Sequence, residues 1–567
     1  MRSRHTMSVV FGCALMLTGT TVLADTAPTP EVTQTPSVTQ SAQVLSVASG
    51  SKRGRIDGEM RLRYPGFEQS TVAFTKNHIV VVTMEAVQEP GKAPVQCSCS
   101  SYEMQANGAP RLVTPLKRLT DYSNGERACN HPKAAADENG NVVWLYGSDY
   151  NSNRPNTYAG ILNEKCEQLS APQMVSIARD ANDGAPDVTY HGNGKFTAGY
   201  YSDGGGEAGP FPLPGGDYSV AMGLQINAGA VLPTLSRTWI KDVVTPTNIG
   251  RPTMTTVDKD RVLFCAPKGP NRPSDHIECG LVDANTGTVV WKAVVATGDR
   301  AKHIYYNQPT VVKVSENKFA LMAIESSGQG KQGNNVKGAN VSHLFLLERN
   351  GDSITVGNEI VGAAAHQTHA SICAGSYGTA GDASVAVFSA APTGIGRPAM
   401  QMVSLDQNTK SFHTDVKADL WPAAFYGDSG HLSNWYGRNP MRQGRDFMRC
   451  IGDVPNAGYH VKGGFMPDVK TLFVGAVHGR VPGEEKNSLF LSLVPGQQDT
   501  KPTPANPVVA GEVPVLDPNA GGNGDKSSPE ASNGCGCSTV GTGAGGTTAL
   551  LGLVALGVVV SLRRRKR

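Results

Sequence analysis

The segment that decides the fold is LVDANTGTVVW, residues Leu281–Trp291. It consists of a short apolar run, a polar turn over Asp283–Gly287, and a second apolar run that ends in Trp291. Apolar runs on both sides of such a turn are typical of a β-hairpin. Looser copies of this strand–turn–strand pattern recur along the chain, and they lie near Met104, Ile161, Leu224, Leu346, Val403 and Leu489.

A second pattern alternates with the hairpin pattern. It is a polar residue, often followed by proline, then a short strand-like run that leads to a longer apolar run such as residues 79–82 or 142–145. Its copies lie near Gln69, His131, Ala185, Arg251, Gln308, His369 and Arg449. Together the two patterns give seven units of about 54 to 80 residues, each with four strands.

Four-stranded units repeated radially form a β-propeller, because closing the ring removes long free sheet edges. We therefore predict an all-β fold, a seven-bladed β-propeller over residues 51–497. The alternative is two or three β-sandwich domains, which also consist of short strands and turns.

The composition agrees with a strand-rich fold. The 567 residues include 65 glycines and 36 prolines, and only 17% are charged, which suits short strands joined by turns better than long surface helices. The formal net charge is +3, and five positive charges lie in residues 563–567. Because no basic stripe with interleaved aromatic residues occurs in the body, we exclude nucleic acid as a partner.

The N-terminus has the features of a secretory signal peptide. Basic residues at positions 2 and 4 precede an apolar run over Val9–Leu17, and small residues end at Ala24. This pattern predicts a signal peptide over residues 1–24, cleaved between Ala24 and Asp25 by signal peptidase. Residues 25–50 and the Pro/Gly-rich residues 498–534 are predicted to be disordered linkers.

The C-terminus combines three elements in residues 535–567. Cys535-Gly536-Cys537 precedes an apolar stretch over Thr547–Leu562, and a basic cluster closes the chain at residues 563–567. The apolar stretch is long enough to predict a transmembrane helix whose basic end stays in the cytoplasm.

This tail resembles the MYXO-CTERM sorting tail of myxobacterial surface proteins. The resemblance implies that a sorting protease cuts the chain near the cysteine motif, and that a lipid on Cys535 or Cys537 holds the new end at the outer membrane. We therefore expect an exported protein that is anchored to the membrane at the cell surface. The resemblance covers only the tail and implies no activity.

The body resembles β-propeller repeat proteins. Within Leu281–Trp291, the spacing Asp-x-x-Thr-Gly-x-x-x-Trp is similar to a blade repeat of quinoprotein dehydrogenases. Those proteins carry the tryptophan in most blades, whereas this chain has it in one copy. The resemblance therefore implies propeller geometry and gives little support for a quinone cofactor.

Eight cysteines remain in the body once Cys13 and the two tail cysteines are set aside. An even number in an exported chain indicates disulfides. We predict that Cys265 and Cys279 close a hairpin across a turn-rich segment, and that Cys373 pairs with Cys450, because the two occupy similar places in late units. The other four allow three pairings, and they are Cys97, Cys99, Cys129 and Cys166.

The propeller prediction places a set of polar residues at one end of the channel, because the innermost strand of each blade starts near the axis. The predicted ligand-binding ring is His131, Asp187, Arg251, Gln308, His369 and Arg449. Mixed charge around a pocket suits a polar ligand such as a glycan or a protein segment. Separately, Asp180, Asn182 and Asp183 present oxygen ligands of the kind calcium prefers, so a structural calcium ion is the one candidate cofactor.

The sequence assigns no catalytic residue. We expect a surface-anchored propeller that binds a polar extracellular ligand or partner. One alternative is a surface glycan hydrolase or lyase with carboxylates such as Asp187 in acid–base roles, and another is a structural coat protein without a specific ligand.

Overall fold

The computed structural model describes residues 43–45 and 60–495. Within the second range the gaps are 66, 76–77, 88, 105–109, 126–127, 151–153, 178–182, 203–217, 229–231, 245–250, 270–273, 328–339, 366–370, 377–382, 391–397, 407–410, 420–448, 451–471 and 480–487. Side chains are described between residues 71 and 359, apart from these gaps and some flanking positions.

The described strands form seven antiparallel sheets, six with four strands and one with five. The first sheet contains β3 (Phe67–Phe74), β4 (His78–Ala86), β5 (Val95–Met104) and β6 (Pro110–Arg118). The second contains β7 (Asn130–Ala136), β8 (Val142–Ser148), β9 (Asn156–Leu162) and β10 (Gln168–Met174). The third contains β11 (Gly184–Gly192), β12 (Lys195–Ser202), β13 (Tyr218–Asn227) and β14 (Thr234–Val244).

The later sheets repeat this order. The fourth contains β15 (Thr253–Thr256), β16 (Arg261–Lys268), β17 (His276–Asp283) and β18 (Val289–Thr297). A short 3₁₀ helix, Arg300–Lys302, leads to the fifth, which contains β19 (Ile304–Ser315), β20 (Lys318–Ser327), β21 (Asn340–Asn350) and β22 (Ser353–Ala365). The sixth contains β23 (Ser371–Ser376), β24 (Ala383–Ala390), β25 (Pro398–Asp406) and β26 (Ser411–Asp419).

The seventh sheet joins the two ends of the folded region. Its strands are β1 (Gln43–Leu45), β2 (Met60–Pro65), β27 (Arg449–Cys450), β28 (Leu472–Gly479) and β29 (Ser488–Pro495), in the spatial order β1-β2-β29-β28-β27. Strand β2 pairs with β29 from Met60 opposite Leu493 to Pro65 opposite Ser488. The last sheet therefore takes its fourth strand from the N-terminal side, where the sequence pattern predicted a second hairpin within the unit. Strand β1 lies inside residues 25–50, which the composition assigned to a linker.

The sheets follow one another in a ring. The first strand of each sheet contacts the first strand of the next, from β3 through β7, β11, β15, β19 and β23 to β27, and strands β28 and β29 contact β3. The fold is therefore all-β and β-propeller-like, as the repeats predicted. All seven first strands begin at, or within five residues of, the polar copies identified in the sequence.

The core lies in layers between neighbouring sheets. One apolar cluster joins the first and second sheets around Val82 and Trp144, and others join the second to the third, the third to the fourth, and the fourth to the fifth. Because both faces of a central strand are covered, its apolar run is continuous, and every residue of β8 is buried.

The signature turn at residues 283–287 fastens the fourth sheet to the third. The indole Nε1–H of Trp239, on β14, donates a hydrogen bond of 2.9 Å to the carbonyl of Ala284. Gly287 has a φ of +73°, and a Cβ atom there would lie 2.4 Å from Cε3 of Trp239. Glycine is thus required at this position both by the backbone conformation and by the indole ring against it.

Three disulfides are described. Cys265 and Cys279 are bonded and lie directly opposite each other on β16 and β17, which confirms the predicted hairpin bond. The bonds Cys97–Cys129 and Cys99–Cys166 resolve the open pairing, and both connect β5 of the first sheet to the second. The side chains of Cys373 and Cys450 lie outside the described residues, so their pairing stays a prediction.

No helix among the described residues is long and apolar enough to cross a membrane. The predicted signal peptide with Ala24 and Asp25, the predicted transmembrane stretch, and Cys535 and Cys537 all lie outside the described residues.

Candidate functional site: a polar mouth where the innermost strands begin

A bulge recurs at the start of the innermost strands. In four sheets the pairing of the first two strands skips two residues, and the skipped pairs are 68–69, 131–132, 185–186 and 308–309. Two of these residues, His131 and Ala185, have φ angles of 51° and 52° and are each followed by proline. Bulges re-aim side chains at sheet ends, and positive φ angles at residues other than glycine mark backbone held in place by its surroundings. Proline is the second skipped residue in three of the four bulges, at 132, 186 and 309, so the proline of the sequence pattern coincides with a repeated structural feature at one end of the ring.

Two members of the predicted ring meet at this end. Nη2 of Arg251 lies 3.0 Å from Nε2 of His131, although the residues are 120 positions apart and belong to the fourth and second sheets. Only 3% of His131 is exposed, and Arg251 is half-buried. A guanidinium group can only donate, so Nε2 of His131 accepts this hydrogen bond.

Asp187 joins the sheets on either side of its own. One carboxylate oxygen lies 3.4 Å from Nζ of Lys133 on β7, and the other accepts a hydrogen bond of 3.0 Å from the main-chain N–H of Met254 on β15. We call His131, Lys133, Asp187 and Arg251 the mouth. The mouth connects three consecutive sheets through side chains at the beginning of their innermost strands.

The hydrogen bond from Met254 to Asp187 belongs to a series along the innermost strands. Thr71 accepts from the N–H of Ala134 at 3.2 Å, and Thr253 accepts from the N–H of Val311 at 3.2 Å. An innermost strand has one edge without a strand partner in its own sheet, so its N–H groups need other acceptors. Asp187 therefore has a structural role as a bridge, and two donors already engage the carboxylate that the sequence analysis considered for acid–base chemistry.

The other ring members are only partly placed. Gln308 occupies a bulge position on β19 and Arg449 opens β27, but their side chains lie outside the described residues, and His369 lies outside them altogether. Of the predicted ring, His131 and Arg251 are in contact, whereas Asp187 contacts Lys133 and Met254; the ring as a whole stays a prediction.

A second polar group lies at the same end of the fifth sheet. Glu325 accepts hydrogen bonds from the hydroxyl of Tyr306 at 3.1 Å and lies 3.0 Å from Nε2 of His343. Glu359 pairs with Nδ1 of the same imidazole. Burial, together with the neighbouring carboxylates, raises the pKa of Tyr306. We call Tyr306, Glu325, His343 and Glu359 the carboxylate group, since two carboxylates here share one histidine.

Sequence reasoning did not identify Lys133 or the carboxylate group. Lys133 stands two residues after His131 in a copy of the polar pattern, and that spacing was an available signal. The carboxylate group comes from four different strands, β19 to β22, and meets only through strand register. No local pattern marks such residues.

The candidate calcium ligands Asp180 and Asn182 lie outside the described residues. Asp183 is buried, and its main chain hydrogen-bonds to Pro155 and to the hydroxyl of Thr157. Among the residues that the structure describes, no group of three or more His, Cys, Asp or Glu side chains is arranged to hold a metal ion. The calcium site stays a prediction.

No family model matches the chain, and no curated protein matches it. Among solved structures, an α-L-arabinofuranosidase of family GH93 from Fusarium graminearum, in complex with arabinobiose, aligns at a TM-score of 0.38 and 12% identity, over 65% of this chain and 94% of that one. An exo-1,5-α-L-arabinanase from a bovine ruminal metagenomic library aligns at 0.29 and 14% identity, over 51% and 97%. An α-L-arabinanase from Cellvibrio cellulosa, complexed with arabinohexaose, aligns at 0.29 and 11% identity, over 51% and 95%. Similarity at these TM-scores carries no argument about the function of this chain.

Proposed function

We propose that this chain is an exported seven-bladed β-propeller that binds a polar extracellular ligand at the mouth. The seven consecutive sheets and the pairing of β2 with β29 support the blade count. The observation that carries the binding proposal is the contact of Arg251 with His131, two residues from different sheets that the chain brings together at the end where the innermost strands begin.

The position of the mouth favours binding over a purely structural role. The opposite end of the sheets is fastened by ion pairs between neighbours, such as Arg349 with Asp258 and Arg261 with Asp352. At the mouth, Lys133 pairs with Asp187, whereas the guanidinium of Arg251 contacts an imidazole. Half-buried cationic donors at this end of the ring suit hydroxyl or carboxylate oxygens of a ligand.

The test is binding of the labelled protein to immobilised oligosaccharides and peptides. Replacing Arg251 and Arg449 with alanine should abolish ligand binding without lowering Tm. Lys259→Ala is the matched control, because it removes an exposed cation at the opposite end. Binding that survives the loss of both arginines would contradict the proposal, and a protein that binds nothing would favour the structural coat.

A glycan hydrolase is the second candidate function, and the carboxylate group favours it. Glycosidases use two carboxyl groups on either side of the scissile bond. Glu325 is largely buried and Glu359 is 41% exposed, an arrangement in which one carboxyl is shielded from water and the other is reachable. If this function holds, Glu325→Gln and Glu359→Gln should each abolish release of reducing sugar from the polysaccharide that the wild-type protein cleaves, while Lys259→Ala should leave it intact. If the wild-type protein releases no reducing sugar from any polysaccharide in a panel, the hydrolase function is ruled out.

We also propose that the protein is displayed at the outer membrane through its processed tail. The three disulfides support an oxidising, extracytoplasmic environment. Intact mass spectrometry of the protein from native surface membranes should give the mass of a chain from Asp25 to a lipid-bearing Cys535 or Cys537. A mass that retains the basic cluster at residues 563–567 would indicate a simple membrane anchor instead.

A further inference from the structure

A stack of tyrosines lies between the first and second sheets, at the end where the mouth is. Tyr122 and Tyr150 stack with ring centroids 4.2 Å apart, and Tyr158 lies 5.5 Å from Tyr150 and 5.7 Å from Tyr146. Tyr122, Tyr146 and Tyr158 are buried. Tyr150 is the only one of the four that remains partly exposed.

Several contacts hold Tyr150 in place. The ring of Tyr122 lies nearly parallel to it, with an interplanar angle of 15°, and Tyr122 is itself fixed by a hydrogen bond between its hydroxyl and that of Tyr146. The backbone of Gly125 presses against the turn, since a Cβ atom there would lie 2.9 Å from Cα of Tyr150. A pre-ordered aromatic ring loses little conformational entropy when a ligand packs on it.

Strand register places Tyr150 beside the mouth. Gly147, on β8, lies opposite Asn130, the residue before His131. Tyr150 follows Gly147 by three residues, so the two Cα atoms are at most about 11 Å apart. Tyr150 and His131 of the mouth therefore lie at the same end of the second sheet.

We propose that the ring of Tyr150 is a stacking platform for a sugar ring, so that the ligand of the mouth is a carbohydrate. This inference rests on the proposed binding function and names its ligand class. The C–H face of a sugar ring packs on the electron-rich face of an aromatic ring, while the hydroxyl or carboxylate groups at the ring edge accept hydrogen bonds from Arg251 and Lys133. A flat aromatic ring and cationic donors at the same end of the sheets are the two elements that a sugar ring with polar substituents engages.

The test compares Tyr150→Ala and Tyr150→Phe in the full mature chain, on an array of plant, bacterial and acidic oligosaccharides beside an array of peptides. The affinity for the best-bound oligosaccharide should fall about tenfold or more in Tyr150→Ala, because a stacked aromatic ring contributes roughly a factor of ten in affinity. Tyr150→Phe keeps the ring and should stay within about twofold. Leu232→Ala, at a residue that is 50% exposed, controls for loss of surface area.

The outcomes distinguish failure of the Tyr150 platform from failure of the mouth as the binding site. If Tyr150→Ala binds like wild type while Arg251→Ala does not bind, the platform is wrong and the mouth stands. If neither variant changes binding, the mouth itself is wrong. If only peptides bind, or if no oligosaccharide binds, the carbohydrate assignment is overturned.

Discussion

Replacing Gly287 with alanine tests the contact that fastens the third sheet to the fourth. Alanine at a φ of +73° is strained by about 1 kcal/mol. The new Cβ would also lie 2.4 Å from Cε3 of Trp239 and 2.9 Å from Cγ of Lys241, and overpacking of this kind costs a further 1–3 kcal/mol or so. We therefore expect a total loss of about 2–4 kcal/mol in the free energy of unfolding.

Gly351 provides the matched control. It occupies the corresponding turn of the fifth sheet with a φ of +61°, and a Cβ atom there would meet nothing within 4 Å. Gly351→Ala therefore has the backbone strain without the clash, and should lose about 1 kcal/mol.

Scanning calorimetry measures the difference. For a folded region of about 440 residues, 1 kcal/mol corresponds to about 1 °C in Tm. Gly351→Ala should lower Tm by about 1 °C and Gly287→Ala by about 2–4 °C. In a Trp239→Ala background, where the ring is absent, the excess cost at Gly287 should fall, and only the contact with Cγ of Lys241 should remain. Equal shifts for the two glycines would refute the argument that Trp239 packs against this turn.

Three further predictions concern stability. Loss of the Cys99–Cys166 disulfide, which spans 67 residues, should lower the free energy of unfolding by roughly 4 kcal/mol. Loss of the Cys265–Cys279 disulfide, which spans 14, should lower it by roughly 3 kcal/mol. Chemical denaturation of the paired Cys→Ala variants measures both losses, and the reverse order would contradict this prediction. Burial lowers the pKa of His191 to about 4, below the value of about 6.5 in an unfolded chain. The unfolded state therefore binds the proton first as the pH falls, so the free energy of unfolding should decrease by about 3 kcal/mol between pH 6.5 and pH 4. His191→Gln should remove this part of the pH dependence. A variant with the same dependence of stability on pH as the wild type would contradict this prediction. Asp187→Ala should lower the free energy of unfolding by about 1–3 kcal/mol, because the N–H of Met254 loses its acceptor, whereas Asp187→Asn should retain most of the stability; equal Tm values for wild type and Asp187→Ala would refute the bridging role.

The strand layout was predictable from the sequence because the same physical demand recurs in every sheet. A strand covered on both faces must be apolar throughout, and the runs at residues 79–82 and 142–145 are buried in the structure. The turn at residues 283–287 was visible because its conformation needs Asp283, Thr286 and Gly287: the Asp283 carboxylate accepts from the N–H groups of residues 285 and 286, and the glycine adopts the positive φ. Both signals are local, and local signals survive in a single sequence.

Other features depend on contacts between distant segments. Strand β2 reads MRLRYP, an ordinary edge-strand pattern, and nothing in it specifies β29 as its partner more than 420 residues later. The pairing of Cys97 with Cys129 and of Cys99 with Cys166 follows from how the first two sheets meet, and spacing does not encode that.

The mouth illustrates both cases. The proline after His131 marked the start of an innermost strand, so the position of the residue was predictable. Its contact with Arg251 depends on the arrangement of the second and fourth sheets around the third.

The most direct test of the account is a crystal structure of the protein with the oligosaccharide that it binds best. We predict a sugar ring lying on Tyr150, with an oxygen of the ligand within hydrogen-bond distance of Arg251. A ligand bound instead at the opposite end of the sheets, near Lys195 or Arg349, would contradict the assignment of the mouth as the functional site.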